Sequence, residues 1–351
     1  DSMLRSLLVD GIIGGVGGVV VFLPNIILLF LAIAILEDTG YMARAAFLMD
    51  RIMKKVGLHG RSFIPMMIGF GCSVPAIMGT RILDDRKSRF ATIMILPLMS
   101  CGARLPIYAL IIPAFFPKQL HAYMMLLIYV IGVCLAVLLA WVLRKTLLKG
   151  DTGLFLMELP PYRMPTMRGL VIHMWERSWL YLKKAGTIIL ALSIVLWALT
   201  SFPKADDSMT AGLDEAQAAK MQLDNSIAGQ IGNAMEPIIS TMGFDEKIGT
   251  ALIGALAAKE VFVAQMGIVF SITDADENTK SLADKLKDNY SPLVGFCIML
   301  FCLISAPCMA TVAVSRRETG SWKWALFQFA SLTLLAYIIT TAVYQVGRIF
   351  V

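Results

Sequence analysis

The sequence between residues 63 and 80 is an apolar run of membrane length that helix-breaking residues interrupt. From Gly69 to Pro75 it reads GFGCSVP, which places two glycines, a cysteine and a proline within seven residues. A helix cannot satisfy all of its backbone groups across such a stretch, and no water replaces them inside a membrane. We therefore predict a discontinuous or re-entrant helix, of the kind that transporters place around a substrate near the bilayer midplane.

The rest of the chain is also too apolar for a soluble protein. Of its 351 residues 58% are hydrophobic and 16% are charged, and the mean hydropathy is +0.73. Stretches long enough to cross a bilayer predict transmembrane helices at residues 11–36, 91–116, 121–143, 185–202, 293–315 and 324–347. We predict an all-α polytopic membrane protein.

The segments between these stretches differ in the sign of their charge. Residues 37–62, 81–90 and 144–184 are rich in Lys and Arg, whereas residues 203–247 and 273–290 are acidic. Because Lys and Arg mark cytoplasmic loops, we expect the first three segments inside and the other two outside. The net charge of +6 then reflects membrane topology, and we expect no binding to nucleic acid.

Two of the basic segments have features of membrane-surface helices. Residues 41–56 combine basic and apolar positions and predict an interfacial helix. In the second half of residues 144–184, tryptophan and tyrosine alternate with Lys and Arg, which predicts a helix lying on the inner surface. The preceding stretch from Glu158 to Pro165 is too rich in proline to be helical.

The order of elements in residues 11–143 recurs in residues 185–347. Each part has a span, an interfacial helix, a broken stretch, a span with a central cysteine and a closing span. The segment Ile52–Gly57 resembles Ile238–Gly243. Because the loops of the two parts carry opposite charge, we predict two repeats of inverted topology with broken or re-entrant helices, a common plan of secondary transporters.

The two predicted repeats and the segment between them divide the chain into three parts. Residues 1–143 form the first repeat, residues 144–184 form a cytoplasmic linker with an interfacial helix, and residues 185–351 form the second, inverted repeat. The second broken stretch falls at residues 248–272, between two acidic segments. We therefore expect it to enter from the opposite face to the first.

Three of the six cysteines lie where Gly or Pro breaks an apolar helix, namely Cys72, Cys101 and Cys308. Thiolates suit Fe(II), Zn(II) and Cu(I), and backbone carbonyls freed at a break add oxygen ligands. Candidate metal ligands are therefore these thiols with carbonyls of Gly69 and Gly71. The structural alternative is that small thiols fit close helix crossings, which is our reading of the remaining Cys134, Cys297 and Cys302.

Ionisable residues inside apolar stretches are costly, so they are usually functional or paired. Glu260 is a candidate metal ligand, and an ion pair with the adjacent Lys259 is its structural alternative. Arg104 lies three residues after Cys101. The sequence contains no GxxxxGK[ST] motif and no HExxH motif, and its three histidines are scattered, so we expect no nucleotide or haem site in this chain.

Several motifs together resemble the membrane region of FeoB ferrous iron transporters. In chain order they are GFGCSVPA from Gly69, SCGARLP from Ser100, ELPPYR from Glu158, AKE from Ala258 and RETGSW from Arg317. The two repeats resemble the paired Gate motifs of that family. Its members begin with a cytoplasmic GTP-binding domain, a spacer and one more span, so we expect this chain to be part of a longer protein.

The resemblance implies uptake of Fe(II), as substrate, across the bacterial plasma (inner) membrane. The charge bias of the loops further predicts that residue 1 is outside. The resemblance also implies that Cys72, Cys101 and Cys308 form the iron path and that Glu260 lies in the second Gate motif. GTP and Mg²⁺ binding, and GTPase activity, are implied only for the preceding domain, so the chain itself is not expected to be an enzyme. Implied partners are the lipid bilayer, the GTP-binding domain, small accessory proteins and, as an option, further copies of the chain.

Two alternatives remain open at the level of sequence. A Gate-type transporter of nucleosides or another small solute would need a polar, aromatic pocket rather than three thiols. A membrane redox enzyme would use its cysteines chemically, but the sequence offers no paired haem histidines and no nucleotide motif to support it.

Overall fold

The computed structural model describes residues 13–149, 161–203, 221–223, 225–257, 259–270 and 278–350. Within these ranges the chain is helical and contains no β-strand. The predicted all-α fold class is confirmed. The segment from Glu158 to Pro160 lies outside the described residues.

The first repeat begins with a long helix and a surface helix, followed by two broken helices and a closing span. These helices are α1 (Gly14–Asp38), α2 (Tyr41–Val56), α3 (Phe63–Gly69), α4 (Ser73–Gly79), α5 (Arg86–Ile95), α6 (Leu105–Phe115) and α7 (His121–Lys145). The helix predicted at residues 41–56 is present, and it is bent by 80° from the end of α1. This angle suits a helix lying along the membrane surface.

The second repeat follows the same order, with one additional short helix. Its helices are α8 (Met167–Ser201), α9 (Ile227–Ile239), α10 (Glu246–Ala257), α11 (Val261–Val269), α12 (Asn278–Asn289), α13 (Pro292–Ile304), α14 (Met309–Thr319) and α15 (Trp322–Phe350). Here α12 is the addition, between the broken pair α10/α11 and the broken span α13/α14.

Four predicted spans recur as helical segments that are long and apolar enough to cross a membrane. They are Arg86–Phe115, Lys118–Lys145, Pro292–Thr319 and Trp322–Phe350. Counting α1 with α2 as one bent pair gives up to five such spans in the described part of the chain.

Helix α8 differs from the prediction. The sequence suggested a surface helix ending near residue 184 and a separate span at 185–202, but one helix runs without a break from Met167 to Ser201. At 1.5 Å per residue, its 35 residues extend over about 52 Å, well beyond the ~30 Å of a hydrocarbon core. A helix of this length that crosses a membrane extends beyond the hydrocarbon core at one end at least.

The contacts between the repeats are reciprocal. Helix α4 of the first repeat packs on α14 of the second, and α11 of the second packs on α6 of the first. Helices α1 and α8, which open the two repeats, pack on each other. A two-fold relation produces this pattern, because each contact then has a partner with the repeats exchanged.

The turns also correspond. Gly57 after α2 and Gly243 after α9 both adopt left-handed conformations, with φ of +82° and +76°. Only glycine adopts this conformation without steric cost. The two glycines therefore explain the similarity between Ile52–Gly57 and Ile238–Gly243.

Small residues allow the closing span of the first repeat to approach the centre of the protein. Gly132, Ala136 and Ala140 follow one another at four-residue spacing along the buried face of α7, an arrangement that permits close helix packing. A Cβ atom at Gly132 would lie 2.8 Å from the Leu98 carbonyl oxygen. Leucines on the opposite face, such as Leu126 and Leu138, are exposed and available to lipid.

Candidate cation pathway

The predicted break at residues 69–75 is present. Helix α3 ends at Gly69, Phe70 and Gly71 follow, and α4 begins at Ser73 with Cys72 extended immediately before it. Gly69 is buried, and a Cβ atom there would lie 3.1 Å from the Met99 Cβ atom. A glycine at this position therefore lets α3 lie against the neighbouring break.

Two further breaks interrupt the spans that carry the other candidate cysteines. Helix α5 ends at Ile95, a short turn follows, and Cys101 lies in extended conformation before the turn Gly102–Arg104. In the second repeat, Cys308 immediately precedes α14. All three candidate thiols thus lie at the same kind of position, on the residue before a helical segment begins.

A backbone hydrogen bond joins the two breaks of the first repeat. The Gly102 amide donates to the Gly71 carbonyl oxygen at 3.0 Å. Cys72 and Cys101 are each adjacent to one end of this bond. The Gly71 carbonyl, predicted as a ligand, therefore already accepts one hydrogen bond and retains one free lone pair.

The thiols and Glu260 approach one another across the two repeats. Cys101, Cys308 and the Glu260 carboxyl all lie within range of electrostatic interaction with Cys72. Cys308 interacts in the same way with Cys101 and Glu260. These four residues lie around one central region, although they come from four separate breaks.

They do not form a closed metal cage. Among the described residues, no group of three or more His, Cys, Asp or Glu side chains is arranged to hold a metal ion. Cys72, Cys101 and Cys308 are each half-buried as residues, and the Cys308 Sγ atom contacts the Thr311 Oγ1 atom at 3.1 Å. The three thiols are soft donors that lie near one another without forming such a group in the described part of the chain.

The other cysteines have different surroundings. Cys134 is exposed on α7, and Cys297 and Cys302 are buried in α13. None of the three lies at a helix break, as the sequence predicted. Their role as packing residues remains a prediction.

Arg104 satisfies backbone carbonyls that the break in its own span leaves free. The side chain is buried, with 2% of its surface exposed. Its guanidinium donates to the Pro97 carbonyl at 2.8 Å and to the Met99 carbonyl at 3.1 Å. Arg104 therefore stabilises the turn that leads to Cys101.

The ion pair suggested between Lys259 and Glu260 is absent from the described ion pairs. Lys259 instead donates from Nζ to the Ser305 Oγ atom at 2.7 Å. This bond joins the break after α10 to the break after α13. It is the counterpart in the second repeat of the bond between Gly102 and Gly71.

An ion cluster that the sequence did not predict bridges the repeats. The Glu318 carboxylate, at the end of α14, accepts hydrogen bonds from Arg81 and from Arg89. Its side chain is only 3% exposed. The sequence signal for this cluster was Glu318 itself, an acidic residue that directly follows Arg316 and Arg317 at the end of an apolar stretch.

These features define a polytopic α-helical membrane protein built from two repeats, with broken helices around a thiol-containing centre. Residues 19–115 and 182–322, more than half of the chain, match the Gate family, described as nucleoside recognition. Residues 125–177 match the family described as the C terminus of ferrous iron transport protein B. The chain therefore belongs to the Gate family, and it resembles the membrane region of FeoB proteins over its whole length.

Three relatives illustrate this similarity. A fusion of Fe(2+) transport protein A with Fe(2+) transporter FeoB from Porphyromonas gingivalis is 42% identical and aligns with 100% of this chain and 45% of its own length. The Fe(2+) transporters FeoB of Leptospira interrogans and Campylobacter jejuni are each 41% identical, covering 100% and 99% of this chain and 52% and 56% of their own lengths. The chain thus spans about half the length of these relatives. No solved structure matches it significantly.

Proposed function

We propose that this chain is the permeation unit of a ferrous iron uptake system in the bacterial plasma membrane. The observation that carries the proposal is the approach of Cys72, Cys101 and Cys308 to one central region, each from the residue before a helix begins. Soft thiol donors suit Fe(II), and the absence of a closed cage among the described residues suits a path that must release the ion.

Weak binding is a requirement of transport. Fe(II) lies low in the affinity order of divalent metals, so a rigid site with three thiolates would fill with zinc or copper and retain it. Thiols that bind the ion one after another, together with carbonyls such as that of Gly71, would bind it weakly enough to release it. The Glu260 carboxyl adds a harder oxygen donor beside them.

Charge and contacts support the proposed orientation in the membrane. Lys87 donates to the Lys149 carbonyl at 2.6 Å, which joins two basic segments. Tyr290 donates to Asp245 at 2.7 Å, which joins two acidic ones. These contacts support basic segments inside, acidic segments outside and opposite insertion of the repeats. Residue 1, outside in this arrangement, lies beyond the described residues.

A cytoplasmic GTP-binding domain is the proposed partner that drives or gates transport, and it would hold the GTP and Mg²⁺. The supporting contact is the Arg44 guanidinium over the Tyr162 ring, 3.5 Å from its centroid. It joins α2 to the linker, so the two proposed inner segments share one surface. Crosslinks from that domain that avoided both segments would contradict this part of the proposal.

A small accessory protein and further copies of the chain are additional proposed partners. One relative is named as a fusion with Fe(2+) transport protein A, which supports the first of these. In this proposal the chain is a transporter without enzymatic activity of its own. Any GTPase activity belongs to the cytoplasmic domain.

The test is uptake of labelled iron into proteoliposomes that contain the full-length protein. Excess zinc, manganese or a nucleoside is added in separate competition assays, and uptake of a labelled nucleoside is measured in parallel. The proposal expects iron accumulation that the nucleoside does not reduce. Accumulation of the nucleoside without iron would instead establish the solute-transporter alternative that the Gate family name suggests.

A further inference from the structure

Lys259 places a buried positive charge beside the candidate cation pathway. It lies in the break between α10 and α11, and only 4% of its surface is exposed. Burial of an ammonium group is costly unless it is paired with an anion. A cation path is an unexpected place for such a charge.

The contacts of Lys259 fix where this charge lies. Its Nζ atom donates to the Ser305 Oγ atom at 2.7 Å, and Ser305 is three residues before Cys308. Lys259 is also within electrostatic range of Cys101 and Cys308, two of the candidate ligands, and of Cys302. The ammonium group therefore faces the thiol-containing region from the second repeat.

No carboxylate forms an ion pair with Lys259 among the described residues. The ion pairs there involve Asp50, Asp84, Asp85 and Glu318 as acids, and none includes Lys259. The guanidinium of Arg104, the other buried cation nearby, donates hydrogen bonds to carbonyls of its own turn. The centre of the protein thus contains two basic side chains, Lys259 and Arg104, that lie near a set of thiols and the Glu260 carboxyl without an ion pair to it.

We infer that Lys259 is a positioning residue whose fixed charge keeps metal binding along the Cys72–Cys101–Cys308 path weak and reversible. A divalent ion near Cys308 is repelled by the ammonium, and in a low-dielectric interior this repulsion is far stronger than in water. The charge opposes the tight thiolate binding that would otherwise trap zinc. This inference rests on the proposed function, because it assigns the thiols to a metal path.

The alternative is a purely structural role, in which the hydrogen bond from Lys259 to Ser305 holds two helix breaks together. Two variants separate these roles. Lys259→Met removes the charge and keeps much of the side-chain volume, whereas Ser305→Ala removes the hydrogen bond and keeps the charge. A purely structural role predicts the same effect from both substitutions, whereas a charge effect predicts tighter metal binding for Lys259→Met and little change for Ser305→Ala.

The experiment measures equilibrium binding of Zn²⁺ and of anaerobic Fe²⁺ to the full-length protein in lipid nanodiscs, by competition with a chromophoric chelator. For Lys259→Met we expect binding about tenfold tighter, with slower iron release in uptake assays. Lys259→Arg and Ser305→Ala should bind within about twofold of the wild type, since both retain the positive charge. Loss of a purely structural contact would not make metal binding tighter.

The control is Lys259→Met combined with Cys72→Ser, Cys101→Ser and Cys308→Ser, in which the gain in affinity should disappear. Unchanged or weaker binding by Lys259→Met would overturn the inference. If the cysteine substitutions lowered metal binding in that case, the proposed pathway would still stand. Failure of the wild type and of every variant to bind metal would overturn both.

Discussion

Arg81 and Glu318, separated by 237 residues in the sequence, form a two-point ion pair between the repeats. The Arg81 Nε atom donates to one carboxylate oxygen at 2.9 Å and its Nη2 atom donates to the other. Arg89 adds a third bond at 2.6 Å. Because α4 begins after Cys72 and α14 begins after Cys308, the pair fixes the far ends of two half-helices that both start at candidate thiols.

Loss of the Glu318 charge should destabilise the protein. Glu318→Gln keeps the shape of the side chain but leaves two guanidinium groups facing each other without a counter-charge. Because the Arg81 side chain is 53% exposed, solvent screens part of this effect. We therefore expect a loss of about 1–3 kcal/mol, measured as a lower unfolding temperature in detergent. The matched control is Asp84→Asn, because Asp84 pairs with Arg61 but its side chain is 91% exposed. An equal effect of both substitutions would contradict the role of Glu318.

A methyl group at Gly132 should disturb the turn that leads to Cys101. In Gly132→Ala the new Cβ atom would lie 2.8 Å from the Leu98 carbonyl, so α7 or the turn must move. We expect a loss of about 1–3 kcal/mol, measured as a lower unfolding temperature in detergent. Gly267→Ala is the control, because nothing lies within 4 Å of its added atom. A neutral Gly132→Ala would show that the close approach of α7 is not required.

The turn after α2 should loosen at acidic pH. The Arg61 amide donates to the His59 Nδ1 atom at 3.2 Å, which requires a neutral imidazole. Burial, together with the neighbouring Arg61, lowers the pKa of His59 below its ordinary value of 6.5. A lowered folded-state pKa means that this stabilisation is present above pH 6.5 and is lost as the pH falls below it.

Hydrogen exchange of peptides that cover residues 60–62, corrected for intrinsic rates, measures this effect. Protection should decrease from about pH 7 to pH 5 in the wild type. In His59→Asn it should remain constant, since asparagine accepts the same hydrogen bond without titrating. Loss of protection in both proteins would assign the pH effect to another group.

Labelling of single cysteines tests the proposed membrane topology. Lys149→Cys and Asp288→Cys place single thiols at exposed positions of an inner and an outer segment. In intact cells and in a background without the native cysteines, a membrane-impermeant maleimide should label Asp288→Cys only. After permeabilisation both should react. Labelling of Lys149→Cys alone in intact cells would invert the arrangement.

The sequence predicted those features that depend on local chemistry. Apolar length predicted the spans, and the glycines and prolines around Cys72 and Cys101 predicted the breaks. It did not predict the continuity of α8, because residues 183–184 were read as the boundary of a span. Lysine favours helices about as well as leucine does, so the charge did not end the helix.

Contacts between distant parts of the chain could not be predicted in the same way. The pairing of Arg81 with Glu318 depends on how the two repeats pack, and the pairing of Lys259 with Ser305 depends on how two breaks within the second repeat pack. Residues that are distant in sequence give no periodic signal of such contacts. The adjacent Glu260 was the obvious partner for Lys259, but backbone geometry at the break directs the ammonium to another helix.

The three cysteines at the helix breaks should be required for iron uptake. Replacing Cys72, Cys101 or Cys308 by Ser keeps the size of the side chain and removes the soft donor, so iron uptake should be abolished or strongly reduced at unchanged protein level. Cys134→Ser, Cys297→Ser and Cys302→Ser are the matched controls and should transport almost normally, because these residues lie within regular helices. Uptake of labelled iron into proteoliposomes compares all six. If all six transported iron equally well, the thiols would be packing residues and the path would need other ligands, with the carbonyls of Gly69 and Gly71 and the Glu260 carboxyl as the donors left to test.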